Sequence, residues 1–424
     1  MPVGRRGWAS LVTMNEDPAI LLTAPGRELL ARLAAEPDGG SLAVAERLRR
    51  DYPASLVAAA MTQQELRRAA GAKFARAPAM LFTRAGYEQS SSETIASYRA
   101  GRFKSARRVA DLCCGIGGDL IALAESSEVL AVDRDETHAR LALHNAAVYG
   151  RADHVAAVVA DVRDVCLAGV DAVFIDPARR SGPGTASAPD ARRFRAGTSE
   201  PPLDWCAALT ARVAAVCVKA APGLPEDLIP ADWEAEFIAE SRDLKEAVLW
   251  SPALATAPPA GPDGSRGRRR ATILTPPRAG GAPGTSTLVA TEGDPVPLRE
   301  PGGYLLDPSP AVTRAGLVED LARTLGADAA KIDPQIAFLT LDRNAQTPFA
   351  RTLRVQYSAP WHEKAFARRL RELGIGAVDI RRRGLAGDVD QIRRRLKLDG
   401  KARATVVITR VNDKPWGLIC ADPG

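Results

Sequence analysis

The segment Asp111-Leu-Cys-Cys-Gly115-Ile-Gly117-Gly118-Asp119 restricts the fold of this chain more than any other stretch. Residues 108–112, apolar at Val109, Ala110 and Leu112, predict a buried strand leading into it, and 118–126 predicts a helix leading out. The backbone has to turn sharply between the two. Glycines there let main chain approach a ligand closely, because no Cβ stands in the way. The same alternation continues downstream. Strands are predicted at 129–132, 155–159, 172–175 and 214–218, with a helix at 137–149. Strand–helix alternation with short turns implies an α/β fold, a Rossmann-like doubly wound sheet of parallel strands. Residues 233–250 and 270–275 are expected to supply its last two strands, closing the domain near Pro277.

Two kinds of cofactor use such a turn, dinucleotides and S-adenosylmethionine. A dinucleotide fingerprint needs a third glycine where this chain has Leu120. An acidic residue before the glycines suits the other cofactor: Asp111 can engage a cationic amino group. Cys113, Gly115 and Gly117 would flank the methionyl and ribose part. Asp133 ends the second strand, placed to accept hydrogen bonds from ribose hydroxyls. Asp161, just after the third, can hold the adenine amino group. Three carboxylates at successive strand ends would line the crevice where open α/β sheets bind ligands. Each alone could equally be a cap or turn residue.

The fourth strand delivers Asp176-Pro177-Ala178-Arg179-Arg180. Proline fixes the chain direction, so the Asp176 carboxylate becomes a rigid acceptor at the same edge. It can orient a substrate amine by its N–H groups, and positioning supplies much of the catalysis when the methyl donor is already activated. Arg179 is a second candidate at the reaction site. Arg180, and Lys219 at the end of the fifth strand, are candidate phosphate contacts, with solvated surface charge as the plain alternative.

The segment 111–119 together with Asp176-Pro-Ala-Arg-Arg180 resembles the class I methyltransferase family that ends in a THUMP-like domain. The first motif is also similar to that of the trimethylguanosine synthase, or RNA cap guanine-N2, group. The resemblance runs from about residue 79 to the end, with Leu81-Phe-Thr-Arg84, Val218-Lys-Ala-Ala-Pro-Gly223 and Leu244-Lys-Glu-Ala-Val-Leu-Trp250 as further matching stretches. It implies S-adenosylmethionine as cofactor and RNA, tRNA or rRNA, as substrate. Amino methyltransferases generally follow Asp-Pro-Pro with an aromatic, whereas this chain has Ala178 and Arg179. Asp-Pro-x-Arg also resembles the loop of uracil-C5 RNA methyltransferases, but Cys217 lacks the Ser-Cys-Asn-Pro context of their nucleophile. Methylation of an exocyclic base nitrogen is the expectation.

Charge places the partner. From Arg351 onward there are 17 Lys+Arg against 8 Asp+Glu, a balance of +9, within a chain whose net charge is +6. A basic terminal module on a near-neutral body suggests a polyanion, with Arg381, Arg382 and Arg394 in its densest basic runs. The expected organisation is a helical domain over 1–100, the methyltransferase domain over 101–277, a linker and mixed segment over 278–345, and a basic α/β module over 346–424. Residues 181–196 and 276–301, rich in Gly, Pro, Ser and Ala, read as loops. No apolar run reaches membrane length, no secretory leader is visible, and six cysteines without a C-x-x-C pair suggest neither zinc nor disulfides but a cytoplasmic protein. His138 and His144, six apart, do not share a helix face for metal ligation. The rival readings are a small-molecule methyltransferase, a non-catalytic RNA-binding module with the same fold, and a nicotinamide-dependent oxidoreductase.

Overall fold

A computed structural model describes residues 17–36, 41–179, 199–259, 267–275 and 283–423. The chain divides into two units: Met1–Asp176 with Ala211–Val213, and Pro177–Thr210 with Ala214–Gly424.

The first unit begins with helices α1 (Ala24–Ala34), α2 (Leu42–Leu48) and α3 (Ala54–Ala70). Thr23 and Ser41 cap the first two by accepting from the amides of Gly26 and Val44, which satisfies donors a helix start leaves open. Two short helices follow, α4 (Arg84–Gln89) and α5 (Glu93–Ala100). The last α-helix of this segment ends at Ala100, and the segment does not close a core of its own. Leu29, Leu33, Leu66, Phe74, Leu81 and Phe82 share one apolar cluster with Ile116, Ile121 and Leu141 from the α/β part. Burying the apolar faces of both segments together makes them one unit rather than two domains.

Strands β1 (Arg108–Leu112), β2 (Glu128–Asp133), β3 (Val155–Val159) and β4 (Ala172–Ile175) are parallel, in the order β3-β2-β1-β4. Val109, Ala110, Val129, Ala131, Val132 and Ile175 are buried, the near-continuous apolar character of strands covered on both faces, whereas β3 at the end of this order is largely exposed. Helix α6 (Leu120–Leu123) is shorter than predicted, and α7 (Glu136–Val148) matches its prediction within one residue.

In the second unit, Ala215–Ala220 and Glu234–Glu240 each pair antiparallel with Asp243–Trp250. The run 233–250, expected as a single strand, is thus a hairpin. Its turn has Ser241 at φ 57°. Arg268–Thr275 runs parallel to Glu234–Glu240, and Gly284–Val289 adds an antiparallel strand beyond it, inside a stretch expected to be loop. The segment expected as a linker contributes Tyr304–Pro308, Ala330–Lys331 and Leu339–Leu341 to a seven-stranded sheet. The other members are Ala350–Pro360, Lys414–Ala421, Ala402–Val411 and Ile375–Arg382. Tertiary pairing recruits these short strands, which carry too few residues for alternation to show. Helices Glu363–Glu372 and Val389–Leu396 bury Phe366, Leu370, Ile392 and Leu396 against one set of sheet residues, including Ile380, Val406 and Ile408. Leu305, Ile332, Phe338 and Leu353 pack with Val407 and Leu418 in a second cluster. Among the described residues no helix is long and apolar enough to cross a membrane. The expected loop over 181–196 lies outside the described residues.

Candidate active site

Register brings the carboxyl ends of three strands level. Leu112 stands opposite Val132 on β2 and opposite Ile175 on β4. The amide of Cys114 donates to the Val132 carbonyl at 3.1 Å, and the amide of Asp176 to the Leu112 carbonyl at 3.2 Å. Asp111, Asp133 and Asp176 thus lie at one sheet edge, where parallel α/β sheets bind ligands.

Cys113, Gly115 and Gly117 form the turn with φ of 62°, 53° and 84°. A left-handed conformation costs an L-residue such as Cys113 about 1–2 kcal/mol, a strain the turn imposes. The two glycines serve different ends. A Cβ on Gly117 would lie 3.0 Å from the Ala142 Cα, so helix α7 would have to give way to admit a side chain. A Cβ on Gly115 would meet nothing within 4 Å, so there the main chain borders open space. Leu120, at the position of the third dinucleotide glycine, is a wholly buried core residue.

Asp133 is 8% exposed. Its Oδ2 accepts from the Gly115 amide at 2.9 Å and its Oδ1 from the Asp135 amide at 2.9 Å. His138 Nδ1 lies 3.7 Å from Oδ1, an ion-pair separation. Burial works against the charged carboxylate, but His138 and the two amides outweigh it and hold Asp133 below its ordinary value. The Asp133 carboxylate in turn raises the His138 imidazole against the opposing effect of burial. Asp111 is buried. Burial, and then the charges of Asp111 and Asp133, push the Cys114 thiol well up, so it is protonated and inert.

Asp161 lies just beyond β3, partly exposed. Its carboxylate accepts from the Arg163 amide at 2.9 Å and contacts the Arg163 guanidinium at 3.1 Å. Pro177 is buried, and the backbone of Ala178–Arg179 pairs with Ser199–Glu200. The Arg179 side chain and all of Arg180 lie outside the described residues. Lys219, half-buried, stands opposite Val248. Cys217 is buried.

The structure sorts the tail arginines. Arg381 reaches Asp379 at 3.2 Å and Asp307 at 3.5 Å, and Arg382 donates to the Leu385 carbonyl at 2.6 Å. Both are engaged within the fold. Arg394 is exposed on its helix. Among the described residues no group of His, Cys, Asp or Glu is placed to hold a metal.

Three supports of the glycine turn lie outside its motif. Asn145, fully buried, accepts from the Leu81 amide and donates to the carbonyls of Leu81 and Ile116, each at 2.9 Å. Arg99, also buried, pairs with Asp119 and bonds the Ser91 hydroxyl at 2.9 Å, with its guanidinium 5.2 Å from the Phe174 ring centre. His138 is the third. The signal for the first two was a polar residue at core-facing helical spacing: Asn145 after Leu141 and Ala142, Arg99 after Ile95 and Ala96.

The Gly115 opening, flanked by buried carboxylates, fits a cofactor with a cationic amino group and ribose hydroxyls. Comparisons with known proteins agree. Residues 106–196 match the family model of RNA cap guanine-N2 methyltransferase, and 350–422 match the THUMP domain-like model. A domain of unknown function is matched over 16–70. An uncharacterized S-adenosylmethionine-dependent methyltransferase of Mycobacterium tuberculosis, found in strains CDC 1551 and H37Rv, is 35% identical over 344 residues. The match spans 78% of this chain and 85% of the relative. A crystal structure from Porphyromonas gingivalis W83, described as a methyltransferase, has a TM-score of 0.70 at 20% identity. It covers 98% of this chain and 100% of that one, a likeness of fold.

Proposed function

This chain belongs to the S-adenosylmethionine-dependent methyltransferases, and from that premise we propose that it methylates an exocyclic nitrogen of a base in structured RNA, tRNA or rRNA. The observation that carries the reading is the bond from the Asp176 amide to the Leu112 carbonyl. It holds the main chain of Asp176 at the strand end next to the glycine turn, which supports a role for its carboxylate in the reaction.

S-adenosylmethionine, when bound, supplies a methyl group already activated on a sulfonium. Asp111 would accept from its amino group and Asp133 from the ribose hydroxyls, while Gly115 and Gly117 lend main chain and Cys113 fixes the turn. Asp161 keeps acceptor capacity beside Arg163 for the adenine amino group. The Asp176 carboxylate would accept an N–H of the substrate amine and aim its lone pair at the methyl carbon. The same oxygens would take up the proton that the methylated nitrogen releases. Pro177 holds this acceptor rigid. Arg179, Arg180 and Lys219 are the candidates for contact with substrate phosphate.

Two matches support RNA as the substrate: the cap guanine-N2 methyltransferase model, which covers the site, and the THUMP-like model over the basic tail. A polyanion held by the tail would meet exposed side chains such as Arg394, and Arg381 only at the expense of its internal ion pairs. A cytoplasmic location belongs to the same proposal, consistent with six free cysteines.

Nucleoside mass spectrometry of tRNA and rRNA from a deletion strain tests this. One missing methylated nucleoside, restored by the wild type and not by Asp176→Ala, is expected. Unchanged RNA nucleosides alongside methyl transfer to a small molecule would overturn the RNA assignment.

A further inference from the structure

A chain of side chains runs from the N-terminal helices to Asp133, and the reaction as described makes no use of it. Thr83 caps helix α4, with its Oγ1 accepting from the Gly86 amide at 2.9 Å. The same oxygen lies 3.3 Å from His138 Nε2. Across the ring, His138 Nδ1 faces Asp133 Oδ1 at 3.7 Å. The other carboxylate oxygen, Oδ2, holds the Gly115 amide. The circuit closes at Gly86, where a Cβ would come into contact with the Ile116 side chain, between the two glycines of the turn.

We propose that His138 and Thr83 are positioning residues for the cofactor. They hold the Asp133 carboxylate in the orientation that receives the ribose hydroxyls, and through Thr83 the N-terminal helices take part in cofactor binding. The proposal rests on the assignment of Asp133 to the ribose.

The chemistry follows from the geometry. A carboxylate fixed only by main-chain amides at Oδ1 and Oδ2 can still tilt about its Cβ–Cγ bond. An N–H at the Nδ1 position adds a third, charge-complementary direction at Oδ1, beside the Asp135 amide, and leaves Oδ2 with a lone pair for the ligand. The imidazole can keep its Nδ1 proton towards Asp133 in either protonation state. When neutral it accepts at Nε2 from the Thr83 hydroxyl, and when protonated it donates from Nε2 to the Thr83 oxygen. Thr83 thereby orients the ring. Its segment is itself held from both sides: Gln63 exchanges two hydrogen bonds with the main chain of Phe82, and Asn145 exchanges two with Leu81. The stretch Leu81-Phe-Thr-Arg84, one of the matching stretches in the sequence, thus acquires a role.

Calorimetric titration of the full-length protein with S-adenosylhomocysteine tests this, with each variant's melting temperature recorded. His138→Ala is expected to weaken binding by about tenfold, the loss of one close contact to a charged group. His138→Asn, whose amide nitrogen can stand in for Nδ1, is expected to recover most of that affinity. Thr83→Val should weaken binding, Thr83→Ser should not, and Thr83→Val should add little to His138→Ala because both act on the same ring. Asp133→Asn is the control. If it binds as tightly as the wild type, the ribose assignment itself fails. If Asp133→Asn weakens binding while His138→Ala and Thr83→Val bind like the wild type, the positioning proposal alone is overturned. It is equally overturned if folded His138→Asn, with wild-type melting, binds as poorly as His138→Ala.

Discussion

The side-chain amide of Asn145 donates to the main-chain carbonyl of Ile116 at 2.9 Å, fastening the middle of the glycine turn to helix α7 from inside the core. The same side chain makes two further bonds to Leu81. One residue therefore ties the turn and the N-terminal segment to a common point.

Replacing Asn145 with Ala leaves three main-chain groups in a buried place without partners. Each buried orphan costs about 1–3 kcal/mol, part of it relieved by relaxation, so Asn145→Ala should lose at least about 2 kcal/mol of stability. Urea unfolding measures this. A loss below about 0.5 kcal/mol, the range of ordinary surface changes, would show that the amide does not hold the turn.

The two glycines of the turn should respond differently to alanine. Gly117→Ala collides with Ala142 at 3.0 Å in a left-handed conformation and should destabilise the protein by more than about 2 kcal/mol. Gly115→Ala carries only the conformational cost, about 1–2 kcal/mol, because its Cβ enters open space. It should therefore fold yet bind S-adenosylhomocysteine poorly. Thermal melts paired with calorimetry separate the two, and a Gly115→Ala protein with full affinity would move the cofactor away from this opening.

The His138–Asp133 contact should make stability depend on pH in a defined window. His138 is held above its ordinary 6.5, so its contribution is fully present below that value and disappears as pH rises through the raised one. Asp133 is held below its ordinary 3.8, so its contribution is present above that value and disappears as pH falls through the lowered one. The stability gap between the wild type and His138→Asn should be largest near about pH 5 and shrink above neutrality. Melting temperatures across pH give the gap directly, and one that grows with pH would have the wrong sign.

Among the tail arginines, Arg394 and Arg381 should separate affinity from stability. Arg394→Ala should lower the slope of log affinity for RNA against log salt by about 1 without changing the melt. Arg381→Ala removes contacts to Asp379 and to the buried Asp307, and should lower the melting temperature. Filter binding across a salt series, set beside the melts, checks both, and a salt slope that Arg394→Ala leaves unchanged would exclude that residue from the RNA surface.

The strand–turn–helix at 108–126 was legible because it is local. Apolar runs, glycines and acidic strand ends sit within a few residues of one another, and their order implies the sheet edge where Asp111, Asp133 and Asp176 meet. Hydrophobic periodicity likewise placed α7. The short strands Ala330–Lys331 and Leu339–Leu341 left no such pattern, because pairing partners far along the chain define them. The same is true of the supports of the site. Asn145, Arg99 and the Thr83–His138 pair act across separations of 8 to 64 residues in sequence, and no local signal states which buried polar group meets which. Sequence alone determined that the chain carries a glycine turn with carboxylates at the ends of parallel strands. Only the tertiary structure decided that Gly115 faces open space while Gly117 faces a helix, that Asp133 is held by His138, and that the N-terminal helices share the core of the glycine turn. Those outcomes depend on packing and hydrogen bonding between distant segments, which form only when the whole unit folds.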